Sequence, residues 1–378
     1  MKLVMAQTNL TLKGGAERVL LKIAQRYDAK IYTVEYDKNR TFSEFKDLDV
    51  ELVGKTTATK LLPYGRVAQG LNYGLSFYNL KLKDDYDVIN AHMAPSHWIR
   101  NKNERVLWYC HTPLRDIYDL YEYRLSLRKP HQRPVYIMGA KFVKGIDRQV
   151  VKKIERIVAN SNNTNSRIKR YYGINNAKVL NGGIDYENYR DNGDGKYFIY
   201  VSRISPNKRQ DMAIKAFNIF KKRIKGYRLL LVGPVSKDKF YYDYYQDMVE
   251  LAKIVKDVEF VLSPSDAVLR KLYSRCTASL YPPMNEDYGL VPLESMASKK
   301  PVIAVKEGGP AETILNNRTG YLVNNAEEMA QKMIYLAEHP KIAESMGKLG
   351  RKRVETNYSW DKFFKGFDKE LRQVAKLK

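Results

Sequence analysis

The sequence predicts an α/β fold of two domains, each built on a parallel sheet, with the two sheets facing a cleft. Short apolar runs that end in a polar residue alternate with amphipathic, helix-length stretches, which is the pattern of βαβ units. A chain of 378 residues is long enough for two domains of roughly 150 residues each. The alternation restarts after an Asp-, Asn- and Gly-rich stretch at residues 184–195, which is the best linker candidate.

In the first half, each predicted strand is a short apolar run. A helix is predicted directly after Gly14-Gly15, with Val19 and Ile23 on its apolar face, and another lies near residues 166–172. The strands are predicted at residues 3–6, 31–34, 50–53, 88–92, 106–111 and 157–161.

In the second half the same alternation is more regular. Strands are predicted at residues 197–201, 228–232, 258–262, 278–281 and 301–305, and helices at 211–222, 242–253, 267–274 and 291–297. Ligands of open parallel sheets bind beyond the carboxyl ends of the strands, so functional residues are expected in the loops that follow them.

Composition excludes several classes of protein. Lys and Arg number 66 against 42 Asp and Glu, and the resulting net charge of +24 is spread over both halves, which favours polyanionic or phosphate-bearing ligands. The two cysteines cannot build a disulfide scaffold, which favours a reducing cytoplasmic location. No signal peptide and no apolar run of about 18 residues is visible, so we expect a cytoplasmic protein, free or peripheral on a membrane face.

The strongest functional signal is a pair of glutamates, Glu286 and Glu294, with Gly289 between them and Pro292 in the first turn of a predicted helix. Glycine lets backbone amides approach a ligand, and a helix start offers free N–H groups to hydroxyl or phosphate oxygens. The glutamates can therefore hold two parts of one ligand, such as a sugar ring and a ribose. Alone, the pair is equally well explained as a loop acid and a helix-dipole acid.

Two cations and one histidine complete the candidates. Arg203 and Lys208 can neutralise a leaving diphosphate, although for this segment alone a solvated basic turn is the better interpretation. His111 follows a strand and can hydrogen-bond a sugar hydroxyl while its other nitrogen donates to backbone. His92 also ends a strand and is interpreted as a support for that edge, whereas His97, with His131 and His339, is predicted to lie on the surface.

These stretches resemble, in order and over nearly the whole chain, the landmarks of retaining glycosyltransferases with the GT-B fold. Residues 286–294 resemble the E-x7-E motif, and the segments that resemble the other landmarks are Gly14-Gly15 (glycine loop), 181–185 (N-G-V-D turn), 201–210 (G-R-L-x-x-x-K-G), 306–312 (G-G-x-x-E) and 358–360 (start of the last helix). The resemblance implies two Rossmann-like domains. Residues 1–182 would be the acceptor-side domain, residues 183–357 would bind the nucleotide sugar, and a helix in residues 358–378 would cross back to the N-terminal domain.

The resemblance also implies roles for the C-terminal candidates in a retaining hexosyl transfer. Glu294 would hold the ribose hydroxyls, Arg203 and Lys208 would neutralise the diphosphate, and Glu286 would contact hydroxyls of the donor sugar. Because these cations supply the positive charge, neither a metal ion nor any other cofactor is expected.

The remaining candidates are implied to shape the site. Gly289 and Leu290 would offer backbone amides, and Gly309 would keep its loop close to the ligand. In the N-terminal half, Gly14 and Gly15 would leave room for phosphate or acceptor. From the same half, His111 would touch the sugar.

The sequence specifies the donor and the acceptor less closely than it specifies the type of reaction. The run at residues 110–121 resembles members that build mannose-containing surface glycans, which favours GDP-mannose as donor and a glycan or lipid-linked acceptor. The alternatives are a UDP-hexose-dependent transferase of the same fold, a GT-B epimerase or phosphorylase, and a non-catalytic basic module that binds nucleic acid. Salt-sensitive binding without a response to nucleotide sugars would indicate the last.

A basic and aromatic segment at residues 115–156 holds eleven Lys or Arg against five acids, interleaved with tyrosines and aliphatic residues. Helix packing within a basic domain explains it most simply. Docking to an anionic membrane surface ranks next and single-stranded nucleic acid a distant third.

The chain departs from the family pattern at four positions. Ser202 and Arg209 replace glycines around the basic segment, and Asp287 and Tyr288 replace the usual Gly and Phe. At these positions the resemblance does not predict the backbone conformation of the two turns. The charged residues of the motifs are still present.

Overall fold

The computed structural model describes residues 1–54 and 65–376, which fold into two compact units. Unit 1 comprises Met1–Asn181 and Phe364–Lys378, and unit 2 comprises Gly182–Phe363. The sequence analysis divided the chain after residue 182 and began the return at residue 358. In the structure the chain passes into unit 2 at Gly182 and back at Phe364, inside the last helix.

Unit 1 is a parallel sheet with the strand order β3-β2-β1-β4-β5-β6-β7. Its strands are β1 Leu3–Leu10, β2 Lys30–Tyr36, β3 Val50–Leu52, β4 Val88–Ala91, β5 Val106–Cys110, β6 Arg156–Ala159 and β7 Lys178–Val179. Its helices are α1 Gly15–Tyr27, α2 Gly65–Asn79, α3 Tyr121–Ser126, α4 Arg133–Val151 and α5 Asn162–Tyr172. The chain order reverses between β1 and β4, which makes their carboxyl ends the topological switch point of this sheet.

Unit 2 repeats this plan with the order β10-β9-β8-β11-β12-β13, and its switch point lies between β8 and β11. Its strands are β8 Tyr197–Val201, β9 Arg228–Val232, β10 Val258–Val261, β11 Ala278–Tyr281, β12 Val302–Val305 and β13 Gly320–Val323. Its helices are α6 Gln210–Arg223, α7 Lys239–Val255, α8 Asp266–Arg275, α9 Leu290–Ala297, α10 Pro310–Thr313, α11 Ala326–Glu338 and α12 Pro340–Asn357.

The two segments that connect the units are held together at one edge of unit 2. The backbone N–H of Ile184 donates to the carbonyl of Tyr358 at 2.9 Å. A Cβ on Gly183 would come within 2.8 Å of the Cα of Trp360, so this close approach requires glycine. The last helix, α13 Trp360–Ala375, continues into unit 1.

The part of α13 in unit 1 is strongly amphipathic. Phe367 and Leu371 are fully buried there, and the ring of Phe367 lies 6.2 Å from that of Tyr27. Glu370, also buried, pairs with Arg156 at the start of β6. The apolar face and this ion pair fix the helix on unit 1, which confirms the returning helix.

A buried carboxylate anchors α4. Asp147 is fully buried and accepts hydrogen bonds from His97 Nε2 at 2.9 Å, Trp98 Nε1 at 2.8 Å, Tyr118 Oη at 3.0 Å and Tyr172 Oη at 2.8 Å. Burial alone would raise the pKa of this carboxyl, but the hydrogen bonds and the nearby imidazole hold it below its usual value. His97 is therefore a core residue stacked on Trp108, and its prediction as a surface residue was wrong.

None of the helices within residues 1–54 and 65–376 is both long and apolar enough to cross a membrane.

Candidate active site

The candidate residues of unit 2 lie in three loops at the carboxyl edge of its sheet. These loops follow β8, β11 and β12, which are consecutive strands in the sheet order. The first contains the turn Pro206–Lys208, the second contains Glu286, and the third contains Gly308-Gly309. The first two flank the topological switch point, where parallel sheets bind ligands.

Lys208 and Glu286 form an ion pair between the first two loops, through Nζ and Oε2. Their side chains are 10% and 22% exposed, so both charges are largely withdrawn from water and depend on each other. Tyr200, near the end of β8, fixes the turn because its hydroxyl donates to the carbonyl of Lys208. The ammonium is thereby positioned at the switch point next to a carboxylate.

Arg209 and Glu307 form a second link across the loops. Nη1 of Arg209 donates to Oε1 of Glu307 at 2.8 Å, and Oε2 of Glu307 accepts the backbone N–H of Asn285 at 3.1 Å. Arg209 has φ 52°, a left-handed conformation that glycine adopts more readily. Arg209 therefore adopts a backbone conformation that suits the glycine it replaces, and its side chain adds an ion pair that glycine could not make.

The third loop also packs on the second through a backbone hydrogen bond. The N–H of Gly309 donates to the carbonyl of Glu286 at 2.8 Å. A Cβ on Gly308 would collide with the backbone of Glu286, and one on Gly309 would collide with the backbone of Tyr288. The glycines are therefore required for contact with the loop that carries Glu286.

Gly289 and Leu290 mark the start of α9. Gly289 has φ 85° and precedes the helix, so the free N–H groups of the first turn begin at Leu290. One turn further on, Glu294 accepts a hydrogen bond through Oε2 from the hydroxyl of Tyr273 at 2.9 Å. Tyr273 is fully buried and holds the carboxylate near the helix start. The hydroxyl of Tyr288, the second departure in this loop, donates to the carbonyl of Gly182 at 2.8 Å.

Arg203 differs from Lys208 in its surroundings. Its guanidinium is exposed and has no hydrogen bond or ion pair with any residue that the structure describes. Its backbone is fixed, because Gln210 Nε2 donates to the carbonyl of Arg203 and to the hydroxyl of Ser202, both at 2.9 Å. An exposed cation thus stands on a loop whose backbone is fixed by these hydrogen bonds.

In unit 1 the glycine loop lies after β1. Gly14 precedes α1 and Gly15 is its first residue, so both lie at the switch point of this sheet. A Cβ on Gly14 would meet only side-chain ends, the carboxylate of Glu17 and a methyl of Leu12. Glu17 lies in the first turn of α1 and is 4% exposed.

His111 follows β5 and is 7% exposed. Its Nε2 lies 2.9 Å from Nδ1 of His92, and Nε2 of His92 lies 2.7 Å from Oδ1 of Asn90. Burial lowers the pKa of His111 to about 3 and that of His92 well below its usual value, so both rings are neutral. The predicted donation from His111 to backbone was wrong, since its partner is the ring of His92.

The sequence matches two known protein families. The family described as Glycosyl transferases group 1 matches residues 185–353, and that described as Glycosyltransferase Family 4 matches residues 13–188. Together they extend over both units and over every candidate residue named above. The chain is a group 1 glycosyltransferase.

Relatives of this glycosyltransferase match over most of their length. It is 29% identical to Alpha-1,3/1,6-mannosyltransferase ALG2 of Mus musculus, over 96% of this chain and 94% of that protein. The human protein of the same name is 26% identical over 96% and 93%.

Solved structures share the fold of the glycosyltransferase. Anabaena HepE, in complex with UDP and glucose, superposes with a TM-score of 0.76 at 16% identity, over 99% of this chain and 100% of that one. Sucrose-phosphate synthase from Thermosynechococcus elongatus gives a TM-score of 0.77 at 18% identity, over 99% of each chain. These structures confirm the GT-B fold expected from the sequence. The family match and the mannosyltransferase relatives confirm the hexosyltransferase class, so the chain is an enzyme rather than a nucleic-acid-binding module.

The structure of the glycosyltransferase brings together only some of the predicted site residues. Lys208 and Gly309 both contact Glu286 in unit 2, whereas the Arg203 side chain makes no hydrogen bond or ion pair with any of the three. His111 contacts His92, which the sequence analysis assigned to strand support. The pair could have been inferred from the sequence, because each histidine directly follows a predicted strand. No set of three or more His, Cys, Asp or Glu side chains within the described residues is arranged to hold a metal ion.

Proposed function

We propose that this glycosyltransferase transfers mannose from GDP-mannose, with retention, to a lipid-linked glycan at the cytoplasmic face of a membrane. One observation carries the choice of sugar. The relatives that match over nearly the whole chain are named as alpha-1,3/1,6-mannosyltransferases in mammals, an amoeba and fungi. The sequence similarity extends over both units and includes the regions around every candidate residue. It is therefore more than a similarity of fold.

The charges of unit 2 support the assignment of the donor side. Lys208 and Arg203 neutralise the diphosphate as its bond to the sugar breaks, while Glu286 binds sugar hydroxyls and holds the lysine. Glu294 binds the ribose, and the amides at Gly289 and Leu290 face the donor. Gly309 keeps its loop against Glu286. No metal ion is required for this distribution of charge.

Retention follows from attack on the face that the leaving group occupies. The acceptor oxygen forms the new bond to the anomeric carbon as the bond to the phosphate oxygen breaks, and the departing diphosphate takes the acceptor's proton. On the side of unit 1, His111 hydrogen-bonds the sugar, and Gly14 and Gly15 leave room for phosphate or acceptor. Glu286 and Glu294 do not act as an acid and nucleophile of the hydrolase type.

The surface of α4 supports membrane docking. Met138 and Phe142, one turn apart, are 72% and 60% exposed, and Val135 on the preceding turn is 46% exposed. Lys141, between them in sequence, and Arg148, further along the same helix, are also exposed. Apolar side chains flanked by cations are suited to the boundary layer of an anionic bilayer. The buried Asp147 fixes this helix to the core, so its apolar side chains are presented by a rigid element.

The donor is tested by thermal unfolding with GDP, UDP, ADP and dTDP at millimolar concentration. A nucleotide at about 100 times its Kd adds about 2.7 kcal/mol and raises Tm by several degrees. We expect a shift with GDP alone, lost in Glu294→Gln and kept in Glu250→Gln, an exposed glutamate on α7. A shift with UDP alone would replace the donor, and transfer of labelled mannose into a lipid extract tests the acceptor.

Docking is tested with the full chain and vesicles of phosphatidylcholine, with or without phosphatidylserine. The double substitution Met138→Ser, Phe142→Ser is expected to weaken binding to the anionic vesicles about tenfold or more, because two apolar insertions are lost. Ile254→Ser, which removes a 78% exposed side chain from unit 2, is the matched control. Equal binding by both variants would assign residues 115–156 to ordinary helix packing.

A further inference from the structure

Three buried polar side chains form a line at the carboxyl edge of the sheet in unit 1. Asn90 lies in β4, His92 directly follows that strand, and His111 directly follows the neighbouring β5. Asn90 and His92 are fully buried. The line therefore connects the interior of the sheet with the one member that is partly exposed, His111.

The amide of Asn90 sets the direction of the hydrogen bonds. Its Nδ2 donates to the carbonyl of Leu107 at 3.1 Å, so its Oδ1 faces His92 and can only accept. Nε2 of His92 must therefore carry the proton. In a neutral ring this leaves a lone pair on Nδ1 of His92, and that atom is 2.9 Å from Nε2 of His111.

The same reasoning extends to His111. Its Nε2 must donate to His92, so in the neutral ring its Nδ1 carries a lone pair. No residue that the structure describes hydrogen-bonds to this Nδ1. The carbonyl of His111 accepts from Asn160 Nδ2 at 3.0 Å, which fixes the backbone behind the ring. The exposed end of the line is thus an unpaired acceptor in a fixed position.

We propose that Asn90 and His92 are positioning residues that hold His111 in the Nε2–H tautomer, so that its Nδ1 accepts a hydrogen bond from a hydroxyl of the donor sugar. The assignment of the hydroxyl rests on the proposed function, whereas the tautomer does not. A neutral acceptor suits this reaction, because the sugar gains positive charge in the transition state and its hydroxyls become stronger donors. An imidazolium in the same place would oppose that charge.

The tautomer is tested first, without substrate, by NMR of the full chain labelled with ¹⁵N-histidine. The sequence has five histidines, so single substitutions assign the signals. We expect His111 to have a protonated Nε2 and an unprotonated Nδ1. His92→Gln, whose amide can both donate and accept, is expected to keep this state, and His92→Leu is expected to lose it. A protonated Nδ1, or exchange between tautomers in the wild type, would overturn the proposal.

The role in catalysis is tested with the nucleotide sugar that the unfolding screen selects and its monodeoxy analogues. We expect kcat to fall about tenfold or more in His92→Leu, with KM changed less, and to recover in His92→Gln. For the analogue that lacks the contacted hydroxyl, kcat/KM should fall further in the wild type than in His92→Leu. Equal costs for every analogue would overturn the hydroxyl contact. If His111 has the expected tautomer but the enzyme is inactive with GDP-mannose, only the proposed donor is rejected.

Discussion

The two units share one topology, but their switch points have opposite chemistry. In unit 1 the edge holds a line of neutral, buried hydrogen-bonding groups that ends in His111. In unit 2 it holds the ion pairs Lys208–Glu286 and Arg209–Glu307. Strand order fixes where a ligand can bind, and a few side chains after the strands decide whether it meets charge or neutral acceptors.

The largest effect is expected from removing the charge in unit 2. Lys208→Ala should lower kcat about 10²–10³-fold, because it removes the cation proposed to stabilise the leaving diphosphate and breaks the ion pair with Glu286. Steady-state transfer assays measure it. Lys215→Ala, an exposed lysine on α6 that pairs with Asp211 on the same helix, is the matched control. A loss below tenfold would mean that the ion pair is structural.

The glycine loops of the two units should differ in their tolerance of a methyl group. Gly309→Ala is expected to cost about 2–4 kcal/mol of unfolding free energy, because its Cβ meets the backbone of Tyr288. Gly14→Ala should cost about 1 kcal/mol or less, since its Cβ meets only side-chain ends that can move. Urea unfolding of both variants measures the difference. Equal costs would contradict the distinction between the loops.

Acid should destabilise unit 1 through its neutral histidines. The pKa of His111 is lowered to about 3 and that of His92 is also lowered, so below about pH 6.5 the unfolded chain binds protons that the folded one does not. Unfolding free energy should therefore decrease as the pH falls, by about 2 kcal/mol between pH 6.5 and pH 5 for His111, and His92 should add to the loss in the same direction.

Urea unfolding of the wild type and of the double variant His92→Asn, His111→Asn measures this dependence. The variant should lose most of the difference between the two pH values. His339→Asn, an exposed histidine of unit 2, should keep it. A double variant as acid-sensitive as the wild type would show that other groups are responsible.

The smallest effect separates two properties of Arg209. Arg209→Ala loses the ion pair with Glu307 but keeps the left-handed backbone, whereas Arg209→Gly loses the ion pair and relieves the backbone. The glycine variant should be more stable than the alanine variant by about 1 kcal/mol. Chemical denaturation of the two variants measures this difference in unfolding free energy. Equal stability would mean that the backbone at this position carries no strain.

The strands were predictable because each is a buried apolar run that ends at a polar residue. All the strand regions named from the sequence are strands in the structure, although the run at residues 3–6 extends to Leu10. The elements between residues 310 and 357 were not anticipated. Helices α11 and α12 follow short loops, and β13 is a four-residue strand at the edge of the sheet.

Pairings between distant side chains could not be predicted. The contact between His92 and His111 depends on β4 and β5 being neighbours, and that between Arg209 and Glu307 depends on two loops meeting across β11. Asp147 takes its four donors from other parts of unit 1, which is why the burial of His97 was missed. The motif at Glu286 and Glu294 is local, so the sequence alone located it.

The hydrogen bond between Ile184 and Tyr358 has a consequence for the order of folding. It joins the first and last segments of unit 2, and unit 1 is made from the two ends of the chain on either side. With unit 2 unfolded, docking α13 on unit 1 would close a loop of roughly 180 residues at an entropic cost of about 4–5 kcal/mol. Once unit 2 has folded, that loop is already closed, so the final helix docks as a local event.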